Sequence, residues 1–150
     1  MSMTGLAPTL MVQDVNRAVH FYYEVLGFEF VWGLAASSRT AVEKWPAPAP
    51  LAMALVRNGA ASLSFQTRNF MASTLPRLAN EAIGGSLVLF MECEDLDALC
   101  DRIGERAPFL KAPHTTAHGT RQCSIEDPDG YILTFSEPPA LPAHHAEPAS

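Results

Sequence analysis

With 150 residues, 48% of them hydrophobic and 17% charged, the chain has the composition of an ordinary globular protein, long enough for one domain or two small halves sharing a core. A net charge of −6 argues against a broad nucleic-acid or anionic-membrane surface. No window approaches the roughly 18 apolar residues of a membrane span.

Three cysteines, Cys93, Cys100 and Cys123, are odd in number and form no Cys-x-x-Cys pair. They read as buried free thiols of a reducing compartment. The opening "MSMTGLAPTL" lacks the basic segment and apolar run of a signal peptide, so a cytoplasmic protein is expected.

In chain order, "APTLMVQD" predicts a strand at about 7–13. Asp14 stands where a helix N-cap belongs, and Val15, Ala18, Val19, Tyr22, Val25 and Leu26 follow at helical spacing. Gly27 supplies the stop, and "FEFVW" reads as the next strand. Residues 33–50 contain Pro46, Pro48 and Pro50 and are expected to form a long loop. "LAMALVRNGAASLSFQ" predicts a hairpin, 51–57 and 61–66, turning at Asn58-Gly59.

After a connector the pattern restarts. "SLVLFMEC" is strand-like, Asp95 is a second N-cap, and Leu96, Leu99, Cys100 and Ile103 form a helical stripe. "FLKAP" resembles a short strand, and 119–126 with 131–136 form a closing hairpin over Asp127-Pro128-Asp129-Gly130, a type I turn pattern. "VQDVNRAVHFY" and "CEDLDALCDRI" occupy matching places. The reading is a duplicated βαβββ unit of the α+β class: a first module over 1–67, a connector over 68–85, a second module over 86–137, and a disordered tail over 138–150.

Three stretches, "DVNRAVHFYYEVLGFEF", "VLFMECEDLDALCDRI" and "GTRQCSIEDPDGYILTFSE", in this order and spacing, resemble the vicinal-oxygen-chelate superfamily of glyoxalase I, extradiol dioxygenases and bleomycin-resistance proteins. The resemblance implies two modules whose strands curl into a cup that holds a ligand, a metal or both, in a homodimer. In metal-dependent members four inner positions carry His or Glu. They map here to Ala7, to Ser64 or Gln66, to Val88 and to Thr134. None of these provides imidazole, carboxylate or thiolate, so no metal and no cofactor is expected.

Other groups have simpler readings. His114 and His118, in "PHTTAHG", are read as an exposed loop pair or a site rim, His20 as a surface residue, and His144 and His145 as part of the tail. Cys123 and Ser64 lack the signature of an activated nucleophile. Glu126, Asp127 and Asp129 read as exposed turn formers. Alternation on 61–66 sends Ser62, Ser64 and Gln66 to one face and Leu63 and Phe65 to the other. With Trp32, Trp45, Phe70, Arg121 and Thr134, these polar residues form the expected ligand site. The resemblance implies a metal-free binder of an aromatic or cationic small molecule similar to bleomycin-resistance proteins. The alternatives are a metal-dependent lyase or dioxygenase of the same superfamily and a structural dimer without ligand.

Overall fold

The computed structural model describes residues 1–139. Strand β1 (Thr9–Val12) leads into helix α1 (Val15–Glu24), followed by β2 (Glu29–Ala35), β3 (Ala41–Val42), β4 (Leu51–Asn58) and β5 (Ala61–Thr67). Helix α2 (Arg68–Thr74) and a short 3-10 turn at Pro76–Leu78 connect to β6 (Val88–Glu92), α3 (Leu96–Ile103), β7 (Phe109–Thr115), β8 (Arg121–Glu126) and β9 (Ile132–Glu137). The class is the expected α+β. The strands form two mixed sheets, ordered β1-β5-β4-β2-β3 and β6-β9-β8-β7.

Both long helices begin as their sequences dictate. Asp14 accepts a hydrogen bond from the Arg17 N–H at 3.1 Å, and Asp95 accepts from that of Ala98 at 3.0 Å. Chain reversal after α1 uses Gly27 at φ 73°, a conformation open to glycine at little cost. The apolar stripe of α1 buries Val15, Val19 and Tyr22 against Val56, Leu63 and Phe65 of the first sheet. On the second sheet, Leu96 and Ile103 of α3 join Cys123, Ile125 and Leu133 in the same continuous core. Each sheet therefore packs its helix side inward and turns its other face away from the core.

The β8–β9 turn locks the halves together. The Tyr22 hydroxyl donates to Asp127 Oδ2 at 2.7 Å, and the Tyr131 hydroxyl donates to the Met11 carbonyl at 2.7 Å. Asp129 Oδ1 accepts from the Gln13 N–H and from the Arg17 guanidinium, both at 3.0 Å. Asp127 is only 5% exposed and the Asp129 side chain is fully covered. This corrects their reading as exposed turn formers: the carboxylates face α1 because its N-terminal turn and Tyr22 supply the donors. The type I pattern does form, with the Gly130 N–H bonded to the Asp127 carbonyl at 3.0 Å.

Three further expectations are corrected. The loop over 33–50 contains β3, whose Ala41 and Val42 pair with Leu34 and Gly33. His114 lies in a strand rather than a loop. It belongs to β7, an edge strand, where Pro113 is tolerated at an irregularity between Lys111 and His114. Of the three thiols, only Cys123 is fully buried, while Cys93 and Cys100 are partly exposed. Most of the tail, including His144 and His145, lies outside the described residues. No helix among the described residues is long and apolar enough to cross a membrane.

Candidate functional site

Cross-strand partners share a face, so the register assembles the surface that the first sheet turns away from α1. One row runs Trp32, Leu55, Ser64, Thr9, and the next runs Leu34, Met53, Gln66, Met11. Ser62, opposite Arg57, extends the face. Ser62, Ser64 and Gln66 share this face, as the alternation predicts, and the β2–β4 register adds Trp32 to it. Met11, Met53 and Leu55, which the sequence reading did not single out, complete an apolar platform around them. Their signal is non-local: it appears only once the β1–β5 and β4–β5 registers are known.

The second sheet presents the matching rows Phe90, Thr134, Ser124 and Glu92, Ser136, Gln122, His114. The hydroxyls of Ser124 and Thr134 share a 2.8 Å hydrogen bond, and the Gln122 amide reaches the Ser136 hydroxyl at 3.4 Å. Val88 and Phe90 stand on this face 54% and 58% exposed.

Three of the expected site residues stand elsewhere: Phe70 lies on α2 and lines a cavity at the end of the first sheet, and Trp45 and Arg121 project to the helix side. Trp45 packs on Phe30 with ring centroids 5.6 Å apart, and both rings lie against the helix-side core. Asn16 of α1 causes this by donating to the Ala49 carbonyl at 3.2 Å and accepting from the Leu51 N–H at 2.8 Å. The proline-rich loop is thereby drawn to the helix side and does not form a flap over the open face. Arg121 alternates with Gln122 and projects to the α3 side, where its guanidinium meets Asp97 at 2.8 Å.

The register also relates the two halves at the positions to which the resemblance maps the metal ligands. Thr9 lies five places before its cap Asp14, and Phe90 lies five places before Asp95. Thr9 pairs with Ser64, and Phe90 pairs with Thr134. Ser64, rather than Gln66, is therefore the counterpart of Thr134, and Ala7 the counterpart of Val88. Two aliphatic side chains and two hydroxyls do not fit a divalent cation, which needs imidazole, carboxylate or thiolate donors. Glu92 and His114 share a row but are separated by three strand spacings, about 14 Å at ~4.8 Å each, too far to hold one ion. Among the described residues no three His, Cys, Asp or Glu side chains are grouped to bind a metal.

Two cavities open beside these faces. One, of about 610 Å³, lies at the end of the first sheet and is lined by Phe70 together with Gln13, Arg39, Arg68 and Asn69. The other, of about 580 Å³, lies between the β4–β5 turn and β6, where Phe28, Phe90 and Phe135 meet Glu92 and Glu94. Burial raises the Cys93 and Cys100 thiols above their ordinary value. Cys100 and Cys123 touch, sulfur to sulfur, at 3.6 Å, and burial pushes the Cys123 thiol up to about 12, so it stays protonated at neutral pH.

Comparison with known proteins agrees with this fold. The family model described as "Glyoxalase/Bleomycin resistance protein/Dioxygenase superfamily" matches residues 6–135. Among solved structures, a protein of unknown function from Agrobacterium tumefaciens str. C58 is 22% identical, covers 94% of this chain and 97% of its own, and has a TM-score of 0.67. TnmS3, an antibiotic binding protein from Streptomyces sp. CB03234, is 24% identical with coverages of 92% and 98% and a TM-score of 0.61. TioX from Micromonospora sp. ML1 is 17% identical with coverages of 90% and 98% and a TM-score of 0.64. No curated protein matches the chain in sequence.

Proposed function

The chain belongs to the glyoxalase/bleomycin resistance protein/dioxygenase superfamily, and from that premise we propose that it binds an aromatic or cationic, antibiotic-like small molecule without a metal. The observation that carries the reading is the donor chemistry at Ala7, Ser64, Val88 and Thr134, where metal-dependent relatives need His or Glu. What remains on the open face is a tryptophan and thioether platform set with hydroxyls and one amide. Such a surface suits a flat organic ligand held by stacking and a few directed hydrogen bonds. The antibiotic-binding TnmS3 shares the fold, which supports the ligand class by analogy alone.

The partner in this reading is a second copy of the chain. Both open faces look away from the shared core, and among the described residues the edge strands β1 and β6 are unpaired on their outer sides. Val88 and Phe90, both more than half exposed, form an apolar strip on the open face of β6. Pairing the first sheet of one protomer with the second sheet of another covers that strip and turns two open faces into closed cups. A panel of cationic and aromatic antibiotics titrated into a Trp45→Phe variant tests the reading, because Trp32 is then the sole tryptophan. Saturable quenching supports binding at the open face. No quenching and no ligand-induced thermal stabilisation across the panel contradict it.

A further inference from the structure

The cavity at the end of the first sheet is distinct from the open faces. The protein carries a net charge of −6, yet the charged side chains lining this cavity are both guanidinium groups, Arg39 and Arg68. Arg68 is held by the backbone: it donates to the carbonyls of Ala79 and Glu81, each at 2.8 Å. Arg39 makes no ion pair among the described residues and is fixed instead over the Phe70 ring, 4.8 Å from its centroid. Its backbone adopts φ 58°, the only positive φ at a non-glycine residue among those described. Glycine adopts that conformation more readily, so the turn between β2 and β3 keeps an arginine where its backbone disfavours one.

These observations converge. A cavity of about 610 Å³ has the size of a small-molecule site. Its guanidinium donors are unopposed by a lining carboxylate, Asn69 and Gln13 add amide groups, and Phe70, Val12 and Ile83 provide apolar wall. We propose that it is a second binding site, selective for a small organic anion with a flat apolar body: a carboxylate or phosphate head on Arg39 and a ring against Phe70 and Ile83. Guanidinium recognises such heads by paired charge-assisted hydrogen bonds, which a neutral amide analogue cannot accept in the same way.

The test is calorimetric titration of the full chain with 1-naphthoate, 1-naphthyl phosphate and the neutral control 1-naphthamide. At least one anion should bind with a marked preference over the amide, and added salt should weaken it. Arg39→Gln should reduce the affinity at least roughly tenfold, with Arg39→Lys intermediate. Arg39→Gly should abolish the preference for the anion while raising the melting temperature, a pairing that general damage to the fold does not produce. The proposal is overturned if neither anion binds, if 1-naphthamide binds as tightly, if Arg39→Gln leaves the affinity unchanged, or if Arg39→Gly keeps the preference for the anion.

Discussion

Tyr22 on α1 and Asp127 at the close of β8 lie 105 residues apart in sequence, yet the phenol donates to the carboxylate at 2.7 Å inside the core. Asp127 also accepts from the N–H groups of Asp129 and Tyr131 at 2.9 Å each. One carboxylate thus organises its own turn and ties it to the other half. Burial raises the Asp127 carboxyl above its usual range, against the lowering effect of these hydrogen bonds, and holds the Tyr22 phenol well above its own.

Removing the phenol oxygen leaves Asp127 Oδ2 short of its partner. Tyr22→Phe should cost about 1–3 kcal/mol, and Asp127→Ala, which strands three donors, about 3 kcal/mol or more. In urea denaturation the double variant should be less destabilised than the sum of the two, with a coupling of roughly 0.5–3 kcal/mol. Strict additivity would mean that the contact is not energetically shared.

Alkaline pH probes the other buried group. Cys123 is held near 12 against an ordinary value of 9.0. Its folded value is the higher one, so the thiol's contribution is fully present below about 9 and declines as pH rises towards 12. Between those limits the unfolded chain has released a proton that the folded chain retains, and stability falls by up to about 1.4 kcal/mol per pH unit. Cys123→Ala should flatten this slope in thermal melts over that range. An unchanged slope would assign the alkaline loss to other groups.

Asn16 is the tether that places the proline-rich loop. Asn16→Ala leaves the Leu51 N–H and the Ala49 carbonyl without their partner and should cost about 1–2 kcal/mol. In a Trp32→Phe background, where Trp45 is the sole tryptophan, its emission should shift to longer wavelength as the loop loosens from Phe30. A constant spectrum would show that the loop keeps its place without Asn16, through the β2–β3 pairing, the Ala36–Pro50 hydrogen bond and the Trp45 contact with Phe30.

The fold was legible where its signals are local. Asp14 and Asp95 as caps and Gly27 as a stop each act within a few residues and appear in place, while the β4–β5 hairpin forms but turns one residue later than expected, at Gly59-Ala60, because Asn58 pairs with Ala61. The first-sheet face was legible because β alternation sorts Ser62, Ser64 and Gln66 without reference to anything distant. What escaped depends on partners far along the chain: Trp45 follows Asn16 to the helix side, Arg121 follows Asp97, and Asp127 follows Tyr22. Arg39 carries no sequence signal, since neither its positive φ nor its seat over Phe70 is written in "SSRTA".

Metal retention tests most directly whether Ala7, Ser64, Val88 and Thr134 form a ligand surface in place of a metal site. The untagged protein is exposed in turn to zinc, nickel, manganese and ferrous iron, desalted, and its metal content measured. Retention well below one equivalent per chain for every ion is the result predicted from Ala7, Ser64, Val88 and Thr134. Near-stoichiometric retention of any ion, lost in Ser64→Ala or Thr134→Ala, would contradict the account and place the chain with the metal-dependent members.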